Sequence, residues 1–155
     1  GSVSLLAGVG VGFHKELTGR ENAYLYGALM GRTQSQIDGL IDEIRNFAEL
    51  EHHFDRPIRT YSSGMKSRLG ISVATAFKPD LLLIDEVLGV GDASFRKKSE
   101  ERVKEMIAES GTVVMVSHSM GMLKKMCTRI AVIDEGAIIF MGDVNEGVQR
   151  YLKSS

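Results

Sequence analysis

Residues 81–86 read Leu-Leu-Leu-Ile-Asp-Glu, four apolar side chains in a row followed at once by two acids. With the turn residues Lys78-Pro79-Asp80 ahead of it, this run predicts a strand covered on both faces, because a half-exposed strand would alternate apolar and polar residues. A second run, Thr112-Val113-Val114-Met115-Val116, follows a helical stretch from about Ser94 to Glu109 and reads as another buried strand. Strand–helix–strand alternation implies a parallel sheet with helices packed on its faces. Asp85 and Glu86 would then lie at the carboxyl edge of that sheet, where open α/β sheets bind ligands.

The chain ahead of residue 78 has a different character. Thr18-Gly19-Arg20-Glu21 has capping-box spacing, and Thr33-Gln34-Ser35-Gln36 repeats it. Gly31 is placed to stop the first helix. Ile37, Leu40, Ile41, Ile44, Phe47 and Ala48 form the apolar stripe of the second. Arg56-Pro57 breaks the pattern, and Ser62 or Ser63 caps a third helix running to about Phe77. Beyond the second buried strand, a short helix from Met120 to Cys127 is expected. Strands over 129–133 and 137–141 flank the turn Asp134-Glu135-Gly136, and a last helix runs from Val144 to Leu152. The expectation is a helical appendage followed by an α/β core.

Composition excludes little. The 155 residues are 43% hydrophobic and 25% charged, ordinary values for a globular domain. A formal net charge of −1 gives no bulk electrostatic reason to expect a nucleic-acid partner. Cys127 is the single cysteine, so no internal disulfide forms, which fits a reducing compartment. No window approaches the roughly 18 apolar residues of a spanning helix. The chain lacks an initiating methionine and is expected to continue upstream.

Four short segments carry the chemistry. Asp85 is suited to orient Mg²⁺, usually through water, and Glu86 to polarise a water attacking a γ-phosphate; the plain alternative is a strand that ends in two solvated acids. Ser62-Ser63-Gly64-Met65 opens a helix, where exposed amides and the dipole suit phosphate, although a serine there is commonly a simple cap. Leu88-Gly89-Val90-Gly91-Asp92 allows a tight backbone, with Asp92 serving either a subunit contact or the cap of the next helix. His118, at the carboxyl end of the second strand, can hydrogen-bond a γ-phosphate or play a structural part.

In this order, Tyr61-Ser62-Ser63-Gly64-Met65, Leu82-Leu83-Ile84-Asp85-Glu86, Gly89-Val90-Gly91-Asp92 and Val116-Ser117-His118-Ser119 resemble four motifs of ABC transporter nucleotide-binding domains. These are the signature motif, the Walker B strand, the D-loop and the switch histidine, and the resemblance covers nearly the whole chain. Gly12-Phe13-His14, Leu17-Thr18-Gly19-Arg20-Glu21-Asn22 and Tyr61 through Leu69 look like the ATPases that export teichoic acids and O-antigen polysaccharides. The resemblance implies an α/β fold, the carboxyl-terminal portion of a P-loop NTPase (RecA-like) core with a mostly parallel sheet, plus an ABC helical subdomain. Residues 1–12 would be a remnant of the preceding core and Q-loop region, 13–77 the helical subdomain ending in the signature helix, and 78–155 the rest of the core.

The same resemblance implies ATP and Mg²⁺ as ligands, Glu86 and His118 as catalytic groups and Asp85 as the acid serving the metal. Ser62, Ser63, Gly64 and Met65 would contact a nucleotide held by a second subunit, and Gly91 and Asp92 would meet that subunit. The implied partners are a second copy, forming a homodimer, and a multi-span permease at the cytoplasmic face of a bacterial plasma membrane.

Two features depart from the family. No Gly-x-x-x-x-Gly-Lys-Ser/Thr occurs; Gly64-Met65-Lys66-Ser67 does not complete one, because Arg59 stands where the first glycine belongs. By resemblance, roughly the first third of the domain is missing with its adenine-stacking aromatic, so the 155 residues alone are expected to be inactive and to expose sheet edge. Ser4 to Gly12 holds no Q-loop glutamine, and Ala7 or Gly8 takes its place. Two other readings compete with the exporter. A non-catalytic assembly module fits the missing P-loop but not the retained Asp85, Glu86 and His118. A soluble ABC-type ATPase acting on DNA or ribosomes would be expected to bring coiled-coil insertions, paired domains or basic stretches.

Several features read as plain structure. His52-His53 is taken as surface loop, on the ground that adjacent histidines point apart. His14 has no ligand-spaced partner. Met115, Met120, Met122 and Met126 are taken as core filling, Cys127 as a small buried hydrophobe, and Lys97-Lys98 and Lys124-Lys125 as solvated helix faces.

Overall fold

The computed structural model describes residues 3–7, 12–85 and 93–154, in two compact units, 1–114 and 115–155. The first begins with strand β1 (Val3–Ala7), then helices α1 (Gly19–Leu29), α2 (Gln34–Ala48) and α3 (Ser63–Ala76). Strand β2 (Leu81–Asp85), helix α4 (Ala93–Glu109) and strand β3 (Thr112–Val116) follow, the last running across the unit boundary.

Both predicted capping boxes form. The Thr18 hydroxyl accepts from the Glu21 amide while Glu21 accepts from the Thr18 amide, and Thr33 and Gln36 exchange the same two bonds. At the end of α1, the Arg32 amide reaches back to the Gly27 carbonyl and the Gly31 amide to Ala28, with Gly31 at φ 73°. This is a Schellman stop, as Gly31 predicted. The apolar stripe of α2 buries Ile37, Ile41, Ile44 and Ala48 against Leu69, Val73 and Phe77 of the α3 segment, with Phe54, Ile58 and Tyr61 closing the cluster. Leu40 packs at its margin. Phe47 turns instead to Phe95 of α4, edge to face with ring centroids 5.7 Å apart.

The sheet order is β1-β2-β3, with β1 and β2 parallel and Leu6 opposite Ile84. Residues 3–7 are thus a core strand, which no local pattern had marked. The strands are less covered than their apolar runs predict. Leu82 and Ile84 are buried, but Leu81 and Leu83 are half-buried. In β3, Val114 and Val116 are 51% and 63% exposed. Within the first unit Val3, Leu5 and Val114 leave apolar surface open, and β3 lies at an edge of the described sheet. The expectation of exposed sheet edge is met, while that of burial on both faces fails.

The second unit holds α5 (Met120–Met126), β4 (Arg129–Asp134), β5 (Ala137–Asp143) and α6 (Val144–Ser154). β4 and β5 form an antiparallel hairpin closed at Glu135-Gly136, both at positive φ, with a register shift after Val132. The Asp143 carboxylate accepts from the amides of Asn145 and Glu146 and caps α6. Leu123, Val144 and Val148 make the core, with Met115, Met120, Cys127 and Ile130 packed on it. Met115 and Met120 therefore fill core as expected, Met122 and Met126 are half-buried, and Cys127 is half-buried with its thiol pKa raised by burial.

Two plain readings need correction. The His52 and His53 rings do not point apart; a short 3-10 turn brings their centroids within 4.1 Å. Lys98 is no solvated lysine, since it binds Glu49 and the Phe47 carbonyl, whereas Lys97, Lys124 and Lys125 are exposed.

Candidate functional site

The start of α3 is built by its neighbours. Ile58 and Arg59 donate backbone hydrogen bonds to the Leu17 and Lys15 carbonyls, which ties the loop before α1 to the turn before α3. Tyr61 is buried and its phenol donates to the His53 carbonyl at 2.6 Å. Burial of the ring is the main cause that pushes the phenol pKa up to about 12, with the charge of Asp55 adding to it.

Ser62 is thereby held as the cap of α3, its hydroxyl accepting from the Met65 amide at 3.2 Å and its carbonyl from Lys66 at 3.0 Å. The choice between Ser62 and Ser63 resolves to Ser62. First-turn amides have no acceptor within a helix; here that turn carries Ser63 and Gly64, with Ser62 and Ser63 exposed and Gly64 and Met65 half-buried. A Cβ added at Gly64 would meet only the Ser62 hydroxyl oxygen, at 3.8 Å.

Asp85 is the last residue of β2, exposed and paired with Ala7 at the carboxyl end of the parallel pair. Glu86, Gly91 and Asp92 lie outside the described residues. His118 is exposed two residues beyond β3, beside Ser119, whose amide bonds the Ser117 hydroxyl at 3.0 Å and whose own hydroxyl caps α5. Ser62–Met65 and Asp85 belong to the first unit and His118 to the second. Among the described residues, no three or more His, Cys, Asp or Glu side chains group as a metal cage. Asp85 offers a single accessible carboxylate, a donor set that fits Mg²⁺ when phosphate and water complete its shell. Among the described residues no helix is long and apolar enough to cross a membrane.

The sequence placed Asn22 only within the Leu17–Asn22 resemblance and gave it no role of its own. Its side chain is fully buried; it accepts from the His14 amide at 2.7 Å and donates to the carbonyls of His14, Leu17 and Thr18. His14 therefore takes part through its backbone. A buried asparagine inside a helix leaves no periodic trace that marks it before the fold is known.

The described residues thus present an exposed serine-capped helix start and an acid at the carboxyl end of a parallel strand pair. The model of the ABC transporter family matches residues 4–89, more than half of the chain, and the chain belongs to that family. It is 40% identical over 151 residues to the O-antigen export system ATP-binding protein RfbB of Myxococcus xanthus, covering 97% of this chain and 35% of that protein. Identity to the RfbB of Klebsiella pneumoniae is 39%, over 97% of this chain and 61% of the relative. Identity to the teichoic acids export ATP-binding protein TagH of Listeria innocua is 42%, over 97% and 45%. The chain thus spans between about a third and three fifths of the length of these relatives.

Among solved structures, an ATP-binding subunit of an ABC transporter superposes with TM-score 0.76 at 20% identity, over 98% of this chain and 62% of that one. A dimeric post-hydrolysis ATP-binding cassette bound to ADP and Pi superposes with TM-score 0.67 at 22% identity, over 92% and 63%. The fold is that of the ABC ATPase domain.

Proposed function

We propose that this chain is part of the ATP-hydrolysing subunit of an exporter of a cell-surface polysaccharide such as O-antigen or teichoic acid. The observation that carries the reading is the start of α3. It is exposed and capped by Ser62, and it bears a glycine that nothing in its own chain requires, since only one atom comes within 4 Å of an added Cβ. The reason for glycine there lies outside the chain, and a phosphate held by a second subunit supplies it: amides of the first turn approach an anion closely only where no side chain intervenes. The names of the relatives support the substrate class.

In this reading residues 13–77 form the helical subdomain, 1–12 and 78–155 belong to the core, and Ser62, Ser63, Gly64 and Met65 face the partner's nucleotide. Mg²⁺, when bound, neutralises charge on the phosphate oxygens. Asp85 orients it through water, Glu86 polarises the attacking water, His118 hydrogen-bonds the γ-phosphate, and Gly91 and Asp92 meet the second copy. The complete protein sits on the cytoplasmic face of the plasma membrane against a multi-span permease.

The test is ATP turnover by the complete protein with its permease. Glu86→Gln is expected to lower kcat by at least ~100-fold while nucleotide still binds, and Gly64→Asp to abolish turnover without unfolding the subunit. The 155 residues alone, which contain no P-loop, are expected to hydrolyse no ATP. Turnover by them that disappears in Glu86→Gln would refute that.

A further inference from the structure

The link between α2 and α3 holds a glutamate where glycine is the easy choice. Glu49 caps the carboxyl end of α2 in the left-handed conformation, φ 55° and ψ 41°. A non-glycine residue is strained there, and glycine is the usual occupant of a left-handed helix end. The Glu49 side chain divides its carboxylate between two elements. One oxygen accepts from Arg68 Nη1 of α3 at 2.6 Å and the other from Lys98 Nζ of α4 at 2.8 Å. The two cations are held in place by aromatic rings. Arg68 stacks over Phe95 at 4.9 Å, and Lys98 lies over Phe47 at 4.7 Å while donating to the Phe47 carbonyl at 3.1 Å. Phe95 is buried, three residues beyond Asp92.

Stability does not account for this arrangement. The Glu49, Lys98 and Arg68 side chains are 49%, 38% and 19% exposed; ion pairs made by a carboxylate so open to solvent contribute little, and the left-handed backbone of Glu49 works against them. What the carboxylate does supply is geometry. It joins the end of α2, the second turn of α3 and the first turns of α4 at one point.

We infer that Glu49 is a positioning residue for ATP turnover: its carboxylate ties α3, whose start bears Ser62–Met65, to α4, which follows Asp85 and Asp92, so that the two segments reach a partner subunit in one fixed relation. The inference rests on the nucleotide-site reading given above. Lys98 first, then Arg68, hold the Glu49 carboxyl below the ordinary glutamate range, so the tie is charged at neutral pH.

The informative variant is Glu49→Gly in the complete protein with its permease, because it removes the carboxylate and relieves the backbone at once. The expected result is unchanged or raised thermal stability, kcat for ATP lowered at least fivefold, KM within twofold, and partial recovery in Glu49→Asp. In parallel, spin labels at Lys66→Cys and Lys97→Cys, in a background where Cys127 and every other cysteine of the complete protein is replaced by serine, report the α3–α4 distance, which should be narrow with Glu49 and broad in Glu49→Gly.

An unchanged distance distribution overturns the inference whether or not ATP is hydrolysed. So does a broadened one with kcat unchanged, which would leave only a packing role. Absence of turnover in the unaltered complex would count against the exporter reading instead, and the distance measurement would still decide the tie.

Discussion

Asn22 shows how much one side chain can carry. Its amide, fully buried, closes the loop from His14 to Thr18 through four hydrogen bonds. Asn22→Leu would leave the His14 amide without its acceptor, while the His14, Leu17 and Thr18 carbonyls keep the backbone amides of Leu17, Ile58 and Asn22; a donor without a partner costs its desolvation. The variant should lose about 1–3 kcal/mol in urea denaturation. Tyr61 gives a pH signature of its own. Its folded pKa, pushed up to about 12 by burial, lies above the ordinary 10.0, so the folded state holds the proton more tightly. That contribution is complete below pH 10 and is lost as pH rises towards 12. Stability measured from pH 8 upward should fall in this window, and Tyr61→Phe should flatten the fall while removing the bond to the His53 carbonyl. Both residues flank the loop and turn that hold Ser62.

At the scale of elements, helix boundaries were legible because they are written in local chemistry. Thr18 with Glu21, Thr33 with Gln36, and Gly31 each act within one turn of chain, and each appears where the spacing put it. Gly31 separates two causes of strain. No atom lies within 4 Å of a Cβ added there, yet φ is 73°. Gly31→Ala should therefore cost about 1–2 kcal/mol from backbone conformation alone, measurable as a lower thermal midpoint without a change in helix content. The role of Lys98 was not legible. Its partners, Glu49 and Phe47, are 49 and 51 residues away, and a lysine pair on a polar helix looks the same whether it meets water or a carboxylate.

At the scale of the molecule, the described sheet leaves Val3, Leu5 and Val114 on open apolar surface. Contiguous exposed apolar groups next to an open strand edge favour association. The 155 residues alone should therefore give a molar mass that rises with concentration in light scattering, and Leu5→Lys should shift it towards monomer. Within the candidate site, Ser62–Met65 and Asp85 were marked by order and residue type; Ser62, Ser63 and Asp85 are exposed, and Gly64 and Met65 are half-buried. The sequence by itself determined the helix limits, the paired acid at a strand's end and the order of the motifs, because each depends on residues within a few positions of one another. Only the tertiary structure decided that residues 3–7 pair with β2, that Val114 stays uncovered, that Asn22 closes a loop and that Glu49 joins three helices. Burial and pairing are set by what packs from elsewhere in the chain, and a run of valines carries no mark of whether anything does.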